Sequence, residues 1–168
     1  MEFSALMKSL ADNIGLDTLE PDENGECQLL CEETAITIQD CPSIRTLFLT
    51  APVAQLSVDE DAIVLRKLLE ANFAFAQTRG ATLSISPDTS VVYLSRYENY
   101  ENLSREQFLQ DFTAFVTVFY NWQKRIEEFH NGDVSSISDQ DSYADTSQPN
   151  DMQDAKKEKS LDKVDFFA

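Results

Sequence analysis

Phe108, Phe112, Phe115, Phe119, Trp122, Ile126 and Phe129 recur at alternating steps of four and three, so on a helix they form one aromatic seam. The seam is about six turns long. Leu109, Val116 and Tyr120 widen it. A stripe this broad cannot face water along its whole length, and at this spacing it reads mostly as core packing against a sheet. Its ends are marked in the sequence. Ser104-Arg105-Glu106-Gln107 reads as a capping box, with Leu103 and Phe108 placed for a hydrophobic staple, and Asn131-Gly132 stops the helix. Core packing accounts for most of the seam, leaving room for a partly open end around Trp122 and Phe129.

The strands that such a sheet requires precede the seam. Cys27 to Glu33 and Thr34 to Gln39 read as a hairpin, with Leu29 and Cys31 on one face and Ile36 and Ile38 on another. Arg45 to Ala51 makes a third strand, limited by Pro52, which cannot donate to a ladder. Thr82 to Ser86 and Ser90 to Ser95 form a second hairpin across Pro87-Asp88-Thr89. At the N-terminus Phe3, Leu6, Met7, Leu10 and Ile14 make one apolar stripe on a helix closed by Gly15.

Between the two hairpins a second helix is expected from Asp59-Glu60-Asp61, whose charge suits a helix start, to Arg79, with Gly80 as its stop. It is apolar on more than one side. Leu65, Leu68, Leu69, Asn72 and Ala76 line one, and Val64, Ala71 and Phe75 another. One stripe suffices to pack on a sheet, so the surplus predicts a further cover, most simply a second copy of the chain. Val64, Leu65, Leu68, Leu69, Ala71, Asn72 and Phe75 are the expected dimer contact. The fold class is α+β in the order α-β-β-β-α-β-β-α, with a twisted antiparallel sheet packed against helices. Residues 1–132 form the domain. Residues 133–168, rich in Ser, Asp, Gln and Asn, are expected to be a largely disordered acidic tail whose last stretch, Lys156 to Ala168, ending Val164-Asp165-Phe166-Phe167-Ala168, is a frayed terminus, a short helix or a sticky end docked on the domain or a partner.

Charge narrows the function. Thirty acidic residues against 13 basic ones give a net charge of −17, which opposes nucleic acid and anionic membranes and favours a basic or apolar partner. No window is apolar enough to span a bilayer, and Met1-Glu2-Phe3-Ser4 lacks the features of a signal peptide, which points to the cytosol. Cys27, Cys31 and Cys41 fit no disulfide framework and read as reduced thiols. Tetrahedral zinc needs four ligands and the chain offers a single histidine, His130, so the cysteines read as small hydrophobes rather than a zinc site. His130 at the end of a helix is a surface residue rather than a base, the four glycines form no phosphate loop, and the carboxylates sit in loops and helix starts. Neither an enzyme nor a cofactor is expected. In the link from Arg96 to Asn102, Tyr97 and Tyr100 either anchor a partner or close the edge of the core.

The order of elements, with Phe3-Ser4-Ala5-Leu6-Met7 through Ile14-Gly15-Leu16, the central Leu68-Leu69-Glu70-Ala71-Asn72-Phe73 and the aromatic last helix up to Trp122, resembles the class I type III secretion chaperones of the Tir chaperone (CesT-like) family. The likeness covers roughly residues 1 to 130. It implies a homodimer built around the second helix, in the bacterial cytosol. It implies partners as well: a secreted effector whose N-terminal segment is held extended and kept secretion-competent, and a secretion ATPase or export gate to which it is delivered, without ATP hydrolysis by the chaperone. The positions matching the family's effector patches are Phe3, Leu6 and Leu10 on the first helix and Leu29, Ile36, Ile38, Leu47 and Leu49 on the sheet. Two other readings stay open: a regulatory relative that sequesters a transcription regulator or another chaperone, and a small ligand-binding or hydrolase α+β domain.

Overall fold

The structure, a computed structural model, describes residues 2–31, 33–57, 62–131 and the backbone of 166–167. The acidic Asp59-Glu60-Asp61, Gly132 and, apart from the backbone of 166–167, the tail assigned to 133–168 lie outside the described residues. The elements run α1 (Phe3–Ile14), β1 (Glu26–Cys31), β2 (Thr34–Cys41), β3 (Thr46–Gln55), α2 (Ala62–Ala71), β4 (Thr82–Ile85), β5 (Val91–Asn99), α3 (Arg105–His130) and β6 (Phe166–Phe167). This is the α+β order expected from the sequence, with one short strand added at the C-terminal end. All strands pair antiparallel, in the spatial order β4-β5-β3-β2-β1-β6.

One face of the sheet carries the core. Period-two alternation turns Cys27, Leu29, Ile36, Ile38, Leu47, Leu49, Val92 and Leu94 inward, where they join Leu6, Met7 and Leu10 of α1 and the α3 seam. Leu29 pairs with Ile36 and Cys27 with Ile38. Directly opposed residues of an antiparallel pair share a face, so the two apolar sets of the first hairpin lie on the same face, not on separate ones. The seam is buried throughout, including Trp122 and Phe129. Trp122 is closed over by the 73–80 segment: its indole N–H donates to the Gln77 carbonyl at 3.3 Å, and the Arg125 guanidinium lies over its ring at 5.2 Å.

The helix ends show which local signals operate. Gly15 takes φ 79° and lets the Leu16 amide donate back to the Ala11 carbonyl at 3.0 Å, a stop that an L side chain would strain. At α3 only half of the capping box forms. Ser104 Oγ accepts from the Gln107 amide at 3.1 Å, but the Gln107 side chain turns forward to Asp111.

Three boundaries differ from expectation. β3 continues through Pro52 to Gln55, and the missing donor falls beside a register shift between Pro52 and Ala54 in its pairing with β5. β5 runs on to Asn99, which makes Tyr97 a strand residue. α2 ends at Ala71 instead of Arg79, because Asn72 leaves the helix to bind strand backbone. Its Nδ2 donates to the Leu83 carbonyl at 2.9 Å and its Oδ1 accepts from the Leu83 amide at 2.8 Å. Both polar groups of Leu83 on the free side of β4 are thereby paired, which covers that rung of an edge strand.

Candidate functional site

α2 carries two apolar stripes offset by one residue. Val64, Leu68 and Ala71 enter the core, whereas Leu65 and Leu69 lead at steps of four to Phe73 on the solvent side. Leu69 is 74% exposed and Phe73 82%, and Ile63, Phe75 and Ile85 of β4 are exposed as well. The expected dimer contact is therefore divided by the fold. Leu65, Leu69 and Phe75 are available to a partner, Val64, Leu68 and Ala71 are already covered, and Asn72 is engaged with Leu83. Phe73 was missed by sequence reasoning, although its step of four from Leu69 marked it.

The patch is held in place rather than draped. Ala74 and Phe75 both adopt positive φ, 53° and 57°, a conformation that costs an L residue about 1–2 kcal/mol each. The Asn72 clasp on one side and the bond from Trp122 to Gln77 on the other fix the turn between them. Polar groups rim it. Arg66 and Lys67 pair with Glu70 at 2.9 and 3.0 Å, and these bonds hold the Glu70 carboxyl below its usual range.

The positions matched to the family's effector patches lie elsewhere. Phe3, Leu6, Leu10, Leu29, Ile36, Ile38, Leu47 and Leu49 are all buried in the core, and in this conformation they present no surface to a partner. What the sheet does expose is its outer face and the rim. Phe48 and Tyr97 stack there with ring centroids 4.3 Å apart. Tyr100 takes the opposite role: buried, it donates to Asp40 at 3.0 Å and sits under Arg45, which bridges to Glu2 and Glu101. Burial and the Asp40 bond push its pKa up. The two tyrosines of the link thus divide the alternatives, Tyr97 facing outward and Tyr100 closing the core.

Charge inside the fold is structural. Arg96 spans from β5 to α3, contacting Glu98, Asp111 at 3.0 Å and the Arg79 carbonyl at 3.0 Å. Cys27 and Cys31 are buried, and burial, with help from Asp22 and Asp40, pushes the Cys27 thiol up to about 11, the reverse of what a nucleophile needs. His130 is exposed at the end of α3. Among the described residues no three His, Cys, Asp or Glu side chains are grouped to hold a metal ion, and no helix is long and apolar enough to cross a membrane. The arrangement offers apolar and aromatic contact.

No curated protein sequence gives a significant match. Among solved structures, the ExsC-ExsE complex aligns with a TM-score of 0.63 at 24% identity, covering 74% of this chain and 96% of that one. The HopA1-SchA chaperone-effector complex aligns at 0.61 with 14% identity, covering 73% and 93%. The Yersinia pestis type III secretion chaperone SycH, solved with a stable fragment of YscM2, aligns at 0.58 with 16% identity, covering 72% and 99%. At these identities the likeness is one of fold. The sequence profile of the Tir chaperone protein (CesT) family matches residues 5–123, from the first helix to the aromatic seam, and the chain belongs to that family.

Proposed function

We propose that the protein is a type III secretion chaperone. It pairs with a second copy through the exposed α2 patch and holds an extended N-terminal segment of a secreted effector, soluble and ready for export, in the bacterial cytosol. The observation that carries this reading is the Leu65-Leu69-Phe73 stripe, left outside a core that is otherwise complete. Contiguous exposed apolar surface of this kind marks a protein contact, and the paired geometry of a two-fold dimer would bring two such stripes together.

Effector contact then falls to the exposed outer sheet face around Phe48 and Tyr97 and to the outer side of β1, where Phe166–Phe167 is the edge strand. Binding of this type draws on apolar burial and backbone hydrogen bonds at a sheet edge, with no covalent step and no nucleotide. Delivery to a secretion ATPase or export gate is the expected sequel.

Co-expression with N-terminal segments of candidate effectors, followed by size-exclusion chromatography with mass measurement, tests the proposal. A complex of two chaperones and one effector is the expected result. A monomer that retains none of the segments would overturn it.

A further inference from the structure

The two edges of the sheet are closed by different means. On β4 the closure is built in, since Asn72 is anchored between α2 and the strand. On β1 it comes from the far end of the chain, where Phe166–Phe167 pairs antiparallel with Leu30 and Cys31.

The backbone of β1 shows what that closure covers. Successive residues of an antiparallel strand direct their N–H and C=O groups to opposite sides. Glu26 points away from β2, because its amide donates to Asp22 Oδ1 at 2.9 Å and its carbonyl accepts from the Asp22 amide at 2.8 Å. Gln28 and Leu30 therefore point outward too. Of these three rungs Glu26 is held by Asp22, Leu30 lies in register with Phe167, and Gln28 has no backbone partner on that side among the described residues. Among the described residues the outer side of β1 thus offers one open rung beside one that Phe167 occupies.

We propose that Phe166–Phe167 is a resident strand that keeps the β1 edge closed until an extended client segment displaces it. This rests on the reading above that clients bind extended against the sheet, and it adds regulation of that site. The open Gln28 rung gives an incoming strand a place to begin pairing, from which it replaces the resident residues at Leu30. A two-residue strand is short for a sheet element, which suits a contact meant to be released. The client best fitted to take its place is an extended segment with an apolar residue in register opposite Leu30, whose side chain is 41% exposed. An edge left open would also invite pairing between copies, which the resident strand prevents.

The test uses the full-length protein and its Phe167→Pro variant, in which the amide that would pair with Leu30 is removed. In native-state hydrogen exchange the Leu30 amide is expected to be protected in the wild type and to exchange at least about tenfold faster in the variant, approaching Gln28. A fluorescent peptide of residues 162–168 is expected to bind the variant about three to ten times more tightly, since affinity scales with the fraction of protein whose edge is free. Equal Leu30 exchange in the two proteins, or equal peptide affinity, overturns the proposal. So does protection of Leu30 that depends on protein concentration, which would place the terminus of one copy on another. Failure of the chaperone reading would appear separately, as no effector complex with either protein in co-expression, and would leave both of these measurements unchanged.

Discussion

Leu68 and Leu69 are adjacent in the chain and lie on opposite sides of α2, 4% and 74% exposed. Replacing each by aspartate separates folding from assembly. In Leu69→Asp the monomer loses almost no buried surface, and a leucine-to-aspartate change in an exposed helix position costs under about 1 kcal/mol in propensity. The dimer suffers more. Full burial of a leucine is worth about 1.5–3 kcal/mol, so covering the exposed three-quarters of Leu69 contributes about 1–2 kcal/mol per copy. A two-fold contact counts it twice, giving about 2–4 kcal/mol, and two carboxylates brought into an apolar contact add to the loss. The dissociation constant should rise by about two to three powers of ten.

In Leu68→Asp the same carboxylate enters the core. The lost burial and the unpaired charge together exceed about 5 kcal/mol, which is comparable with the whole stability of a domain this size. Sedimentation velocity over a concentration series, with thermal melts followed by circular dichroism, distinguishes the cases. The expected outcome is a folded monomer for Leu69→Asp and an unfolded or aggregated chain for Leu68→Asp. A Leu69→Asp protein that dimerises as tightly as wild type would refute the assigned contact, and a Leu68→Asp protein with a normal melt would refute the placement of α2.

Other perturbations probe the rest of the fold. Tyr100→Phe keeps the ring and removes its hydrogen bond to Asp40; urea unfolding should show a loss of about 1–2 kcal/mol. Asn72→Ala leaves both outward groups of Leu83 without their partners and should cost about 1–3 kcal/mol while increasing aggregation on heating, seen by light scattering. Thiol reagents at pH 8.5 should label Cys41 and spare Cys27 and Cys31 until urea is added, read by mass spectrometry of digests. Because the folded pKa of Cys27 is raised from 9.0 to about 11, its contribution to stability is present in full below about pH 9 and lost as the pH rises toward 11. A melting temperature that climbs across that range would contradict the assignment.

Several parts of this fold are legible in residue order because they depend on short-range chemistry. Period 3.6 in Phe108 to Phe129 and in Phe3 to Ile14 gives the helices and their buried faces. Gly15 and Ser104 mark ends through backbone geometry and hydrogen bonding that act within a few residues. The surplus of apolar positions on α2 was visible as well. Its division was not, since Leu68 and Leu69 differ only in what lies opposite them. For the same reason the eight positions matched to effector patches could not be told from core before the helices were placed on the sheet.

Alone, then, the sequence determines the elements, their apolar faces, the acidic charge and the excess of hydrophobic surface over what one small core needs. Tertiary structure decides that β5 lies beside β3, that Asn72 ends α2 in order to seal β4, that Tyr97 faces out while Tyr100 is enclosed, and that the chain's last residues reach the β1 edge. The physical reason is range. Periodicity and capping are set by neighbours along the chain, whereas burial and edge pairing depend on residues brought together from distant positions by packing.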